Sequence, residues 1–202
     1  MKIAILGSGQ VGRSLARGYG RHGHDVRVGT RKGQVEDLPV GAPDEVVADA
    51  DLVVLAVAGR ASVELTGSLA HLLEGRVLVD ATNPLDFSTG GPRLFVGFED
   101  SLGEQVQKAA PGARVVKAYN SVGNTLFVDP QLPGGPPTMF MAGNDDTAKA
   151  TVTRLLQDTG WEVADLGGIE ASRWLEALCM AWVAYGGRSG TWNHAFKLLR
   201  TP

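Results

Sequence analysis

The residues best placed to do chemistry lie near the start of the chain, where Gly7-Ser8-Gly9-Gln10-Val11-Gly12 spells G-x-G-x-x-G between a strand-like run and a helical pattern. In that setting each glycine has a task. Gly7 permits the tight turn, Gly9 lets the backbone approach a pyrophosphate, and Gly12 lets helix and strand close together. The helix N-terminus then offers unpaired N–H groups and partial positive charge to the phosphates. Ser8 and Gln10 add side-chain donors. The same letters alone describe a glycine-rich turn; strand, motif, helix and second strand in succession point to a dinucleotide.

The end of the second strand discriminates between the two nicotinamide dinucleotides. An Asp or Glu there would bond the ribose 2′-hydroxyl of NAD. This chain instead reads Val28-Gly29-Thr30-Arg31-Lys32, with no acid. The Thr30 hydroxyl, the Arg31 fork and the Lys32 point charge suit a 2′-phosphate, which favours NADP(H). Glu36 and Asp37 fall in the loop beyond. Ala56-Val57-Ala58 and Ala81-Thr82-Asn83-Pro84 stand at carboxyl ends of later strands, where open α/β sheets bind ligands. Asn83-Pro84 reads either as a cis bond or tight turn presenting Asn83 to the cofactor, or as a plain turn.

Holding such residues requires a sheet. Apolar, β-branched runs at 2–6, 25–28, 52–56, 77–80, 115–118, 138–142 and 161–165 alternate with helical patterns at 11–21, 60–73, 102–110 and 145–159. The run at 52–56 is hydrophobic without alternation, as for a strand buried on both faces. The expected fold is α/β: a Rossmann-type, doubly wound, mostly parallel sheet with a short C-terminal helical extension. Residues 1–168 form the NAD(P)-binding unit and 169–202 a tail packed on it, one domain in all. The tail reads as two helices, 170–185 and 191–199, separated by Gly186, Gly187 and Gly190.

Composition excludes other classes. The 202 residues are 44% hydrophobic with a net charge of -3, and no basic stripe invites nucleic acid. The single cysteine, Cys179, forms no internal disulfide and fits a reducing cytoplasm. No run is long enough to span a bilayer, so no membrane is expected. His22 and His24 read as solvated turn residues, His71 and His194 lack a second ligand at helical spacing, and no metal is expected. Trp174, Met180, Trp182, Tyr185 and Trp192 read as packing or as a dimer interface, with a stacking wall as the alternative. A homodimer follows from the apolar surface of the tail.

A wider series of motifs narrows the function. Ile3-Ala4-Ile5-Leu6-Gly7-Ser8-Gly9, Gly29-Thr30-Arg31, Thr82-Asn83-Pro84, Lys117-Ala118-Tyr119-Asn120, Ala142-Gly143-Asn144-Asp145-Asp146 and Leu175-Glu176-Ala177-Leu178 occur in order. Together they resemble the NADPH-dependent coenzyme F420 reductase family, and also the oxidoreductase domains of membrane-bound metalloreductases. The resemblance covers nearly the whole chain. It implies hydride transfer between NADP(H) and a deazaflavin, coenzyme F420, or in relatives a flavin, stacked on the nicotinamide beside the tail. Asn83, Pro84, Asn120, Ser121 and the tail would form the second-ligand wall. Some members of the family carry His at the position of Asn120, and the loop at 86–98 matches no pattern.

Such chemistry belongs to the two rings, so no catalytic triad is expected, and none is recognisable. Two other readings remain open at this point: an NADPH-dependent reductase of flavin, ferric chelate or a small carbonyl compound, and an NADP(H)-binding redox sensor without turnover.

Overall fold

The computed structural model describes residues 1–88 and 90–201. Its strands are β1 (Lys2–Leu6), β2 (Asp25–Gly29), β3 (Val40–Gly41), β4 (Leu52–Leu55), β5 (Val77–Asp80), β6 (Leu85–Asp86), β7 (Arg93–Leu94), β8 (Arg114–Lys117), β9 (Thr138–Gly143) and β10 (Glu162–Asp165). The helices are α1 (Gln10–Arg21), α2 (Pro43–Ala48), α3 (Gly59–Ser68), α4 (Ala70–Leu73), α5 (Leu102–Ala109), α6 (Asp146–Asp158) and α7 (Ser172–Ser189).

One sheet runs in the order β10-β9-β8-β5-β4-β1-β2-β3. It is parallel except where β9 meets β8 antiparallel. The chain steps outward from β1 in both directions, to β2 on one side and β4 on the other, so the carboxyl ends of β1 and β4 frame the crevice where such sheets bind ligands. Every residue of β4 is buried, as its unbroken apolar run implies. On one face Leu15, Ala16 and Tyr19 of α1 pack beside Val152, Leu155 and Leu156 of α6. On the other, Val46, Val47, Leu69, Leu73 and Val106 complete the second layer.

Sequence and structure part company at several elements, the two-residue strand β3 among them. The helix expected at 60–73 breaks at Leu69 into α3 and α4. The short α2, with Pro43 opening it and acids in its first turn, went unread because six residues carry no helical period. Within 86–98 lies part of the β6–β7 hairpin.

The segment 191–199, expected as a second tail helix, is not one. Gly190, left-handed at φ 71, caps α7, whereas Gly186 and Gly187 lie inside it. Beyond the cap the backbone bonds sideways instead of to itself. Thr138 N–H donates to the Phe196 carbonyl at 2.9 Å, and Leu198 N–H donates to Thr138 Oγ1 at 3.0 Å. The Trp192 ring occupies the space that a Cβ on Gly186 would need. Among the described residues no helix is long and apolar enough to cross a membrane.

Candidate functional site

β1 delivers the chain into Gly7, whose φ of 123 suits only glycine, and a Cβ there would stand 2.5 Å from the Ala56 carbonyl oxygen. A Cβ on Gly12 would stand 2.0 Å from the Gly7 oxygen, so α1 begins hard against the turn. Gly9 caps α1 without any side-chain hydrogen bond, and both Gly9 and Gln10 are exposed. The first-turn N–H groups and the positive end of the helix therefore face open space, as an anion site requires.

The end of β2 is tied to this turn. Thr30 Oγ1 donates to Ser8 Oγ at 3.1 Å and accepts from the Lys32 N–H at 3.1 Å. Gly7, Ser8, Thr30, Arg31, Lys32 and Val57 line one groove of about 380 Å³. Among the described residues Arg31 and Lys32 make no ion pair, although the nearby Arg13 and Arg17 do. Two open cations beside an open helix N-terminus fit a ligand bearing phosphates at both places.

The other expected contacts scatter more widely. Gln10 lines the groove on the far side of α1 with Arg13, Arg17 and Asn124. Val11 is half-buried against the core and Gly12 is buried. Ala56, Ala81 and Pro84 are buried at the strand ends, while Ala58 is exposed and caps α3. The Asn83–Pro84 bond is trans, so the cis alternative falls.

Asn83 and Asn120 come together. Asn83 Nδ2 donates to the Asn120 carbonyl at 2.9 Å, and Asn120 Nδ2 donates to the Leu175 carbonyl in α7 at 2.6 Å. Asn120 is 2% exposed and its Oδ1 has no partner among the described residues. The tail thus packs back on the sheet at this wall. His22 is an exposed turn residue just past α1, as expected, with its Nε2 2.8 Å from Asp129 Oδ1.

Beneath the wall lies a charged cluster that sequence reasoning missed. Lys117 is fully buried, with Nζ 3.0 Å from Asp80 Oδ2, 2.9 Å from Glu176 Oε1 and 2.7 Å from the Thr82 carbonyl. Asp80 Oδ1 accepts from Thr82 N and Oγ1, and Glu176 accepts from Leu102 N and Gly103 N at the start of α5. Burial works to lower the Lys117 pKa, but the Asp80 and Glu176 carboxylates outweigh it and hold the ammonium above its usual value. The available signal was a charge set in each of three apolar stretches, Val-Leu-Val-Asp80, Val-Val-Lys117 and Leu-Glu176-Ala-Leu.

The hairpin closes the far side. Asp86 accepts from Ser88 N–H and from Arg93, which hold its carboxyl well below the usual carboxylate range. Phe98 stacks on Trp174 at 6.3 Å, and a cavity of about 280 Å³ lies between Leu94, Val96, Phe98 and Arg173, Glu176 of the tail. Of the other tail aromatics, Trp182 stacks on His194 at 4.8 Å and donates its Nε1–H to the His194 carbonyl.

Residues 2–84 match the family described as NADP oxidoreductase, coenzyme F420-dependent. The chain is 27% identical to the F420-dependent NADP reductase of Methanothermobacter marburgensis, with all of both chains covered. It is 32% identical to metalloreductase STEAP3 of Rattus norvegicus across 88% of its own length, and spans 36% of that protein. A crystal structure from Arthrobacter sp. FB24, assigned as an F420-dependent NADP-reductase, superposes with a TM-score of 0.93 at 41% identity, covering 99% of this chain and 100% of that one.

Proposed function

Because the chain belongs to the family of coenzyme F420-dependent NADP oxidoreductases, we propose that it passes a hydride between NADP(H) and coenzyme F420. The observation that carries the choice of nucleotide is the pair Arg31 and Lys32, which make no ion pair among the described residues although they share with Glu64 the groove where β2 ends. The open N-terminus of α1, entered through Gly7 to Gly12, holds the pyrophosphate, and Thr30, Arg31 and Lys32 hold the 2′-phosphate. Val57 and Ala58 line the path toward Ala81, Asn83 and Pro84. Asn120 Oδ1, without a partner among the described residues, is the acceptor we assign to the carboxamide N–H.

With both rings bound, the pair would supply the chemistry, a hydride passing between nicotinamide and deazaflavin with one solvent proton balancing the reduced deazaflavin. The chain contributes orientation and exclusion of water. Holding donor and acceptor carbons within about 3 to 3.5 Å supplies several kcal/mol of the barrier reduction without a catalytic side chain. The half-buried cavity beside Phe98 and Glu176 is where we place the second ring. We read 1–168 and 169–202 as one functional unit, since the tail supplies the Leu175 and Glu176 contacts that shape the wall.

The finer readings are a cytoplasmic homodimer. Cys179 is free and buried, which suits a reducing compartment. Trp174, Leu178, Ala181 and Tyr185 follow heptad spacing along the outer side of α7, with Trp174 59% and Tyr185 57% exposed. An antiparallel second copy would set Trp174 against Tyr185 and Glu170 near Arg188.

The test is NADPH oxidation with oxidised F420, FMN, FAD and ferric citrate offered side by side and NADH as control. Turnover with F420 alone supports the proposal. Turnover only with a flavin or ferric citrate replaces the acceptor, and binding of NADPH without turnover on any of them leaves a sensor.

A further inference from the structure

The segment between β2 and β3 carries Arg31 and Lys32, and its ends are fixed: Thr30 N–H donates to the Gly41 carbonyl at 3.1 Å and Val28 N–H to the Pro39 carbonyl at 2.8 Å. Its middle folds into a tight turn. Leu38 N–H donates to the Val35 carbonyl at 3.0 Å, Val35 is buried, and Glu36 sits at the tip in the left-handed region, φ 48. A glutamate adopts that conformation at a cost, so something must hold it there. Arg13 Nη1 bonds Glu36 Oε1 at 2.9 Å, Arg17 bonds Glu36 Oε2, and Arg17 also reaches Asp37 at 3.1 Å. Both arginines belong to α1, the helix whose N-terminus receives the pyrophosphate. The clasp therefore joins the two halves of the phosphate site through one rigid element.

Resting on the NADP(H) reading above, we infer that Glu36, clasped by Arg13 and Arg17, is a positioning residue for 2′-phosphate recognition: it fixes the turn that aims Arg31 and Lys32 and so sets the preference for NADPH over NADH. Glu36 is an anion on the segment that reads an anion. If it acted by charge alone, removing it would tighten NADPH binding. If it acts by positioning, removing it loosens NADPH binding and leaves NADH untouched.

Dissociation constants for NADPH and NADH, measured by titration of nicotinamide fluorescence, separate the two. Glu36→Gln is expected to weaken NADPH roughly fivefold with NADH unchanged, the scale of a networked surface ion pair. In an Arg31→Ala/Lys32→Ala background the same change is expected to add nothing, because the groups it positions are gone. Tighter NADPH binding, an equal loss for both nucleotides, or a full additional loss in that background would overturn the clasp. A parent protein that binds NADPH no better than NADH would overturn the cofactor reading, and the clasp with it.

Discussion

At the scale of single residues, two kinds of charge do opposite work. Arg31 and Lys32 stand exposed and make no ion pair among the described residues, and in the proposed function they serve a ligand; Lys117 is buried and paired with Asp80 and Glu176, so its value lies in the protein. Arg31→Asp removes a phosphate partner and adds a repelling charge. NADPH affinity is expected to fall by roughly tenfold or more with little change for NADH, read from paired titrations. Lys117→Met strands the Asp80 and Glu176 carboxylates in the core. Denaturant unfolding is expected to show a loss of about 3 to 5 kcal/mol, with much of it restored when Asp80→Asn and Glu176→Gln are added. A loss below about 1 kcal/mol for the single change would mean the cluster is not buried as described. The turn that precedes α1 was legible in the sequence because Gly7 and Gly12 meet backbone demands at fixed spacing. The Lys117 cluster was not, because β5, β8 and α7 supply one member each and only the folded sheet brings them together. Asn83 and Asn120 were named, but their mutual bonds and the link to Leu175 needed the tail in place.

At the scale of elements, the buried strands were readable from unbroken apolar runs, and the long helices from spacings of three and four. Short elements without a full period, α2 and the β6–β7 hairpin, were not. The segment 191–199 misled because its apolar spacing resembles a helix, yet Gly190 stops α7 and the bonds to Thr138 give its backbone better partners than itself. The contact between β1, the turn and α1 is the tightest in the site, and Gly12→Ala tests it. A Cβ placed 2.0 Å from the Gly7 oxygen must push α1 off the turn. The expected results are about 1 to 3 kcal/mol lost in unfolding experiments and a larger proportional loss in NADPH affinity than in stability. Stability loss with unchanged affinity would detach this turn from the pyrophosphate.

For the whole molecule, the buried ionisable groups set a limit on alkaline tolerance. Burial pushes the Cys179 thiol up to about 12 from its ordinary 9.0, and the Tyr119 hydroxyl up to about 12 from 10.0. Both stay protonated when folded at pH values where the unfolded chain would release the proton. Their contribution to stability is thus complete below about pH 9 and lost as pH rises toward about 12. Melting temperatures recorded from about pH 8 upward are expected to fall over that window, with Cys179→Ala removing the part of the slope that begins near pH 9. The proposed dimer is tested by Trp174→Glu with Tyr185→Glu, which is expected to give a monomer in light scattering where the parent protein is dimeric; a parent protein already monomeric at micromolar concentration would rule out the α7 seam. The central claim, that this fold brings two rings together for direct hydride transfer, is tested most directly by following isotope. With NADPH carrying deuterium at the transferred position of the nicotinamide, and oxidised F420 as acceptor in ordinary water, the label is expected to be recovered in the reduced deazaflavin by mass spectrometry. Reduced deazaflavin without the label, or no reduction while NADPH is bound, would contradict the account.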